Sequence, residues 1–214
     1  GFSRQRFGDE LLLMLAHPSR AAACEMLNAL TLDAAVFDEP WRPVNLMLVS
    51  TLEQHAGPML ALAAYLIDRA GLDVQAASAS MAGVRRALCL SNEESTAVGG
   101  VLQVLQRLRG EWGGMSIAAQ KRLASHPRFS DAHALLCGWE PAVHGSVARR
   151  VQELTSDGIG IAPSPFVTGD DLIADGFQPN PQFKGILDRV YDAQLAGEVS
   201  TKVTALELAR RLRV

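Results

Sequence analysis

Apolar residues recur along this chain at intervals of three and four, the spacing that gathers them on one side of an α-helix. Phe7, Leu11, Met14 and Leu15 form the first such side, with Ser3 placed to cap it. His17-Pro18-Ser19 breaks the pattern, and Cys24, Leu27 and Leu30 resume it as a second inward face. Pro40 and Pro43 interrupt again before the stretch 46–51, which reads as helix. Gly57-Pro58 stops and restarts the chain, and proline suits a first helical position because it has no N–H to leave unpaired. The run 59–67 is apolar almost all round, which predicts a central, buried helix.

Gly71 ends that helix, and another is expected over about 76–88. Ser91-Asn92-Glu93-Glu94 reads as a capping box: the Ser91 hydroxyl can take the Glu94 N–H while the Glu94 carboxylate reaches back. The helix it starts should bury Val98, Val101, Leu102 and Leu105. A turn over 110–114 follows, then a helix capped by Ser116, and then a helical segment over 130–157 broken near 138–141. The stretch 155–165 is the best linker candidate. Beyond it, Thr168 should cap a short helix ending at Gly176, and Pro179-Asn180-Pro181 should open a longer one carrying Phe183, Ile186, Leu187, Val190, Tyr191 and Leu195. Gly197 closes that helix, and Ser200 or Thr201 caps the last, with Val203, Leu206, Leu208 and Leu212. No sustained alternation of period two occurs, so the expected fold is all-α: a multi-helix bundle followed by a small helical hairpin.

A hydrophobic fraction of 48% over 214 residues is ample for a packed core and argues against disorder. The net charge of −3 is unusual for a free-standing nucleic-acid binder, so any contact with phosphates would depend on local basic patches. Cys24, Cys89 and Cys137 are scattered among apolar neighbours without metal or redox spacing; they are expected to be small buried thiols in a reduced, cytoplasmic protein. No run approaches the roughly 20 apolar residues of a membrane span, and acidic Asp9 and Glu10 spoil a signal-peptide reading of the N-terminal region. A chain that starts at Gly1 is expected to be a piece of a longer protein.

The stretch Thr168-Gly169-Asp170-Asp171-Leu172-Ile173-Ala174-Asp175-Gly176-Phe177-Gln178-Pro179-Asn180-Pro181, followed by Gln194-Leu195-Ala196-Gly197-Glu198-Val199 and a final Ala-, Leu- and Arg-rich helix, resembles the tail of bacterial tRNA nucleotidyltransferases. These are the class II CCA-adding enzymes and poly(A) polymerases. Ser3-Arg4-Gln5-Arg6-Phe7-Gly8-Asp9-Glu10-Leu11 resembles the neck motif of the same family, with Gln5 where the family carries glutamate. The resemblance implies neck-end helices over 1–38, a helical body over 39–157 and a tail domain over 166–214. Family bodies often descend from HD phosphohydrolases. Here Pro43 stands near Trp41 where a histidine is usual, Ile67 precedes Asp68 where the HD pair would be, and Gln103-Val104-Leu105 lacks the later histidines. The body is therefore expected to be a degenerate, metal-free scaffold, since a divalent ion needs several convergent ligands.

The same resemblance places the chemistry elsewhere. The family's catalytic head uses paired aspartates on a strand to hold two metal ions, and Asp170-Asp171, the nearest pair here, falls in the first turn of a helix, where acids favour the dipole. The expectation is a chain with no catalytic and no metal-ligating residue of its own, which holds tRNA or another RNA 3′ end for a head on the same polypeptide. Mg and CTP or ATP would belong to that head. Candidate phosphate contacts are Arg85, Arg86, Lys121, Arg122, Arg128 and Lys184, with one member of each adjacent pair facing water. His126, His133 and His144 form at most a loose group, and Trp41, Trp112 and Trp139 read as core anchors. Two other classes compete: a metal-dependent HD-type phosphohydrolase built on Asp68, and a helical interaction module that forms a homodimer.

Overall fold

The computed structural model describes residues 4–156, 158–178 and 181–213, and among them all regular structure is helical. In chain order the helices are α1 (Arg4–Ala16), α2 (Arg20–Ala29), α3 (Leu32–Phe37), α4 (Met47–Thr51), α5 (Pro58–Arg69), α6 (Val74–Leu88) and α7 (Asn92–Gly110). After a single 3₁₀ turn at Trp112–Gly114 come α8 (Ile117–Ala124), α9 (Phe129–Trp139), α10 (Pro141–Ser156), α11 (Gly169–Ala174), α12 (Phe183–Leu195) and α13 (Lys202–Leu212). The fold is all-α. The chain groups into two compact units, each made of two stretches: 1–111 with 127–147, and 112–126 with 148–214. A reading along the chain into 1–38, 39–157 and 166–214 groups residues by order; these units group them by contact.

In the first unit α5 is the axis, as its apolar circumference demands: every residue from Leu60 to Arg69 is buried, and α1, α4, α6 and α7 pack around it. Fully buried leucine or isoleucine side chains such as Leu62 and Ile67 each contribute about 1.5–3 kcal/mol. Pro58 occupies the first turn of α5 as expected. The Ser91–Glu94 capping box opens α7 in both directions, Glu94 N–H to Ser91 Oγ at 3.2 Å and Ser91 N–H to Glu94 Oε2 at 2.7 Å. Val98, Val101, Leu102 and Leu105 are all fully buried. α1 lies so close to α6 that a Cβ on Gly8 would sit 2.0 Å from the Leu88 carbonyl oxygen, so only glycine fits there.

Several local expectations change. α2 turns Asn28, not Leu30, inward; Leu30 is exposed, while the Asn28 amide donates to Asp33 Oδ2 and the Arg42 carbonyl and accepts from Val44 N–H. One polar side chain thus fixes the proline-bearing segment 38–46, which the hydrophobic pattern alone leaves unplaced. α3, unforeseen, is bracketed by Thr31 and Asp38, both at φ +57°. α6 starts at Val74 because Asp73 caps it. Phe7 is half-exposed, and Cys89 and Cys137 are exposed, not buried; only Cys24 is in the core, where burial pushes its thiol up to about 12. Ser3 lies outside the described residues.

The second unit contains α8, residues 148–156 of α10, and α11 to α13. Leu172, Phe177, Ile186, Val190, Ala193, Val199, Ala205 and Ala209 make its core, with Phe183, Leu187, Leu206, Leu208 and Leu212 at the margin. Small Ala205 and Ala209 bring α13 close to this core, and Val203 faces solvent, not inward. Ser116, Thr168 and Thr201 cap α8, α11 and α13.

Candidate nucleic-acid interface

Each basic candidate sits on a helix or, for Arg128, on the turn just before one, α9. In the first unit Arg85 and Arg86 lie in the last turn of α6, where cations favour the dipole, and both are exposed. One member of the pair is expected to face water and here both do: the left-handed turn at Cys89 follows, and the helix end leaves both side chains uncovered. Arg85 donates to Asn92 Oδ1 across the α6–α7 turn. The Arg86 guanidinium has no hydrogen bond or ion pair among the described residues. Arg128 pairs with Asp131 at 3.5 Å. The other central arginines are engaged as well: Arg107 with Glu111 at 3.2 Å, and Arg109 with Glu140 at 2.6 Å while lying over the Trp139 ring.

In the second unit the pair 121–122 splits. Lys121 is only 1% exposed, so it is no surface contact. Arg122 is part-exposed and binds α12: its guanidinium pairs with Asp192, donates to the Asp188 carbonyl at 3.0 Å and lies over the Tyr191 ring. Lys184 is exposed in the first turn of α12, with no hydrogen bond or ion pair among the described residues. The turn expected to open that helix at Pro179-Asn180 lies outside the described residues. Of the six candidates, the exposed end of α6 in one unit and Lys184 in the other remain available for sequence-independent phosphate contact.

The motif positions of the C-terminal region have definite local tasks. Thr168 and Asp171 form a capping box, and Asp171 also takes the Lys202 ammonium at 2.6 Å, which, with the Thr168 N–H, holds its carboxyl down at about 2. Asp175 pairs with Arg210, which keeps its carboxyl below the ordinary range. Gly176 and Gly197 turn the chain at φ +86° and +80°. Gln194 is buried, and its amide accepts from Phe166 N–H at 2.8 Å and donates to the Ser164 carbonyl at 2.8 Å. Tyr191 adds a bond from its hydroxyl to the Pro163 carbonyl. The segment read as linker from its glycines and prolines is therefore tied, from residue 163 onward, to α12.

Asp68, on which an HD-type reading would rest, holds α4 to α5. Its two oxygens accept the Leu48 and Val49 N–H groups at 2.9 and 3.0 Å, capping α4 from α5, and burial still pushes its carboxyl up to about 6. His133 and His144 stack at 4.1 Å, His133 Nε2 meets the His144 carbonyl oxygen at 3.1 Å, and burial holds His133 below its usual range. Among the described residues no group of three or more His, Cys, Asp or Glu side chains could hold a metal ion. Of the tryptophans, Trp112 is buried, whereas Trp41 is half-exposed, its indole donating to the Asn28 carbonyl.

Charges that sequence reasoning missed form the polar core of the first unit. Arg20, 2% exposed, donates to four backbone carbonyls: Leu15 at 2.7 Å, Glu53 at 2.9 Å, Gln54 at 2.7 Å and, more weakly, Ala56 at 3.5 Å. Arg69 pairs with buried Asp33 and with Glu39 at 2.9 Å, and lies over the Phe37 ring. No spacing announces these partners, which apart from Leu15 are 30 or more residues away in sequence. Among the described residues no helix is long and apolar enough to cross a membrane. No family model, curated protein or solved structure matches the chain.

Proposed function

We propose that this chain is the helical, RNA-holding C-terminal region of a tRNA nucleotidyltransferase, of the CCA-adding enzyme and poly(A) polymerase family, acting in the cytoplasm with a catalytic head on the same polypeptide. The reading is carried by the two tail motifs and by what their residues do in the folded second unit. Thr168 and Asp171 cap, Gly176 and Gly197 turn, and Gln194 fastens the chain before the first motif to the helix that bears the second.

In this reading the head binds Mg and CTP or ATP and performs the transfer, and this region positions the RNA 3′ end. Arg86 and Lys184 are the contacts of choice, since both are exposed and unengaged among the described residues; Arg85 and Arg128 are secondary contacts that must give up existing partners. Filter binding of tRNA across a salt series tests this. Expected is weak binding whose logarithm falls linearly with that of salt, with a slope reduced by about one for each of Arg86→Ala and Lys184→Ala. No tRNA retention at low salt, with the chain folded, would sink the proposal; so would incorporation of CMP or AMP by this chain alone.

A further inference from the structure

Lys121 has a second use open to it. It lines a pocket of about 230 Å³ within the second unit, at the C-terminal end of α12, beside Ile159, Leu195, Gly197, Val199 and Ser200. Its ammonium has no hydrogen bond or ion pair among the described residues. Nor is it sealed away, because among the described residues the fully enclosed side-chain polar atoms without partners are Asp33 Oδ1 and Tyr65 Oη. The 1% of surface that Lys121 keeps therefore opens on the pocket. A positive charge taken out of water is costly unless it meets a counter-charge. The negative end of the α12 dipole offsets part of that cost; a bound anion offsets the rest only with its oxygens seated on the ammonium and away from the last α12 carbonyls, which repel it.

The lining selects among anions. One more side-chain donor is at hand, the Ser200 hydroxyl; the Gln194 amide is already engaged with Phe166 and Ser164. The remaining wall, from Ile159, Leu195 and Val199, is apolar. Two donors and one charge match a carboxylate, whereas a phosphate would press further oxygens against hydrocarbon. The volume falls below the roughly 300–1,000 Å³ of pockets for drug-sized ligands, so the body must be short. We infer that this pocket binds a small aliphatic monocarboxylate, with its oxygens on Lys121 and Ser200 and its chain against Ile159, Leu195 and Val199. The inference stands apart from the RNA reading: Lys121 is withdrawn from phosphate contact and given a different ligand.

Titrating the full chain with hexanoate, at constant ionic strength and with inorganic phosphate as the comparison, tests it by amide chemical shifts and thermal midpoint. Hexanoate is expected to give saturable shifts centred on Gly158, Gly197 and Ser200 and to raise the midpoint, while phosphate does neither. Lys121→Met should abolish the response, and Ser200→Ala, at an exposed position that leaves the fold intact, should weaken affinity about tenfold, as for one hydrogen bond to a charged group. If Lys121→Met does not fold, Ser200→Ala decides alone. Absence of saturable shifts with hexanoate, the same shifts with phosphate, or wild-type affinity in Ser200→Ala overturns the inference.

Discussion

Replacing Arg20 by methionine measures how much a buried guanidinium contributes when its partners are carbonyls. The side chain is 2% exposed and donates to Leu15, Glu53 and Gln54 at 2.7, 2.9 and 2.7 Å. Bonds from a charged donor contribute about 1.5 kcal/mol each at the low end, so about 4.5 kcal/mol for the set. Methionine returns about 1.5 kcal/mol through burial of its own apolar chain. The net loss is about 3 kcal/mol, which at a urea slope of about 2 kcal/mol per molar lowers the midpoint by about 1.5 M. Arg20→Lys keeps the charge but not the fork, and should lie between the two. The loop held by the clasp supplies a local readout: the Ala56 amide, bonded to the Glu53 carbonyl at 3.0 Å, should exchange faster in Arg20→Met. A loss under about 1 kcal/mol, or unchanged exchange at Ala56, would refute the assignment of these bonds as the tie between α2 and the loop.

Asp68 binds its proton more tightly in the fold, at about 6 against an ordinary 3.8, so its contribution is full below pH 4, falls away as the pH rises to 6 and remains a constant cost above. Asp68→Asn should therefore gain stability relative to the parent between pH 4 and 6, by up to about 3 kcal/mol less the lost bond to Leu48 or Val49, as read by urea unfolding at each pH. Gly8→Ala must part α1 from α6, since its Cβ would meet the Leu88 carbonyl at 2.0 Å, and should cost about 2 kcal/mol; Gly99→Ala, with nothing within 4 Å in the middle of α7, should instead raise the thermal midpoint. Arg69→Met strands the Asp33 charge and should cost about 3–5 kcal/mol, whereas Arg69→Met with Asp33→Asn should recover much of it in a double-mutant cycle.

Local physics made most helices legible. The Ser91–Glu94 and Thr168–Asp171 boxes bond residues three apart, so the sequence carries the whole interaction, and the unbroken apolar run of α5 admits only a central position. Periodicity failed where a polar side chain won a tertiary partner. Leu30 and Asn28 compete for the inner face of α2, and Asn28 prevails because Asp33, Arg42 and Val44 complete its hydrogen bonds. The candidate site suffered from the same blindness. Lys121 and Arg122 look alike as neighbours on paper, yet one is enclosed and the other is drawn to Asp188 and Asp192, about seventy residues on. Charge in a sequence shows a cation but not its counter-ion, and among the candidates Arg86 and Lys184 are recognisable as unengaged only once the partners of the others are known.

The interleaving of the two units has a consequence for anyone shortening this chain. The stretch 112–126 belongs with residues 148–214, yet it is threaded between two stretches of the other unit. No single cut can liberate either one whole: scission after 111 robs the first of α9, and scission before 148 robs the second of α8. During synthesis α8 emerges long before the α12 residues that Arg122 grips, so the second unit closes only once α12 has been made.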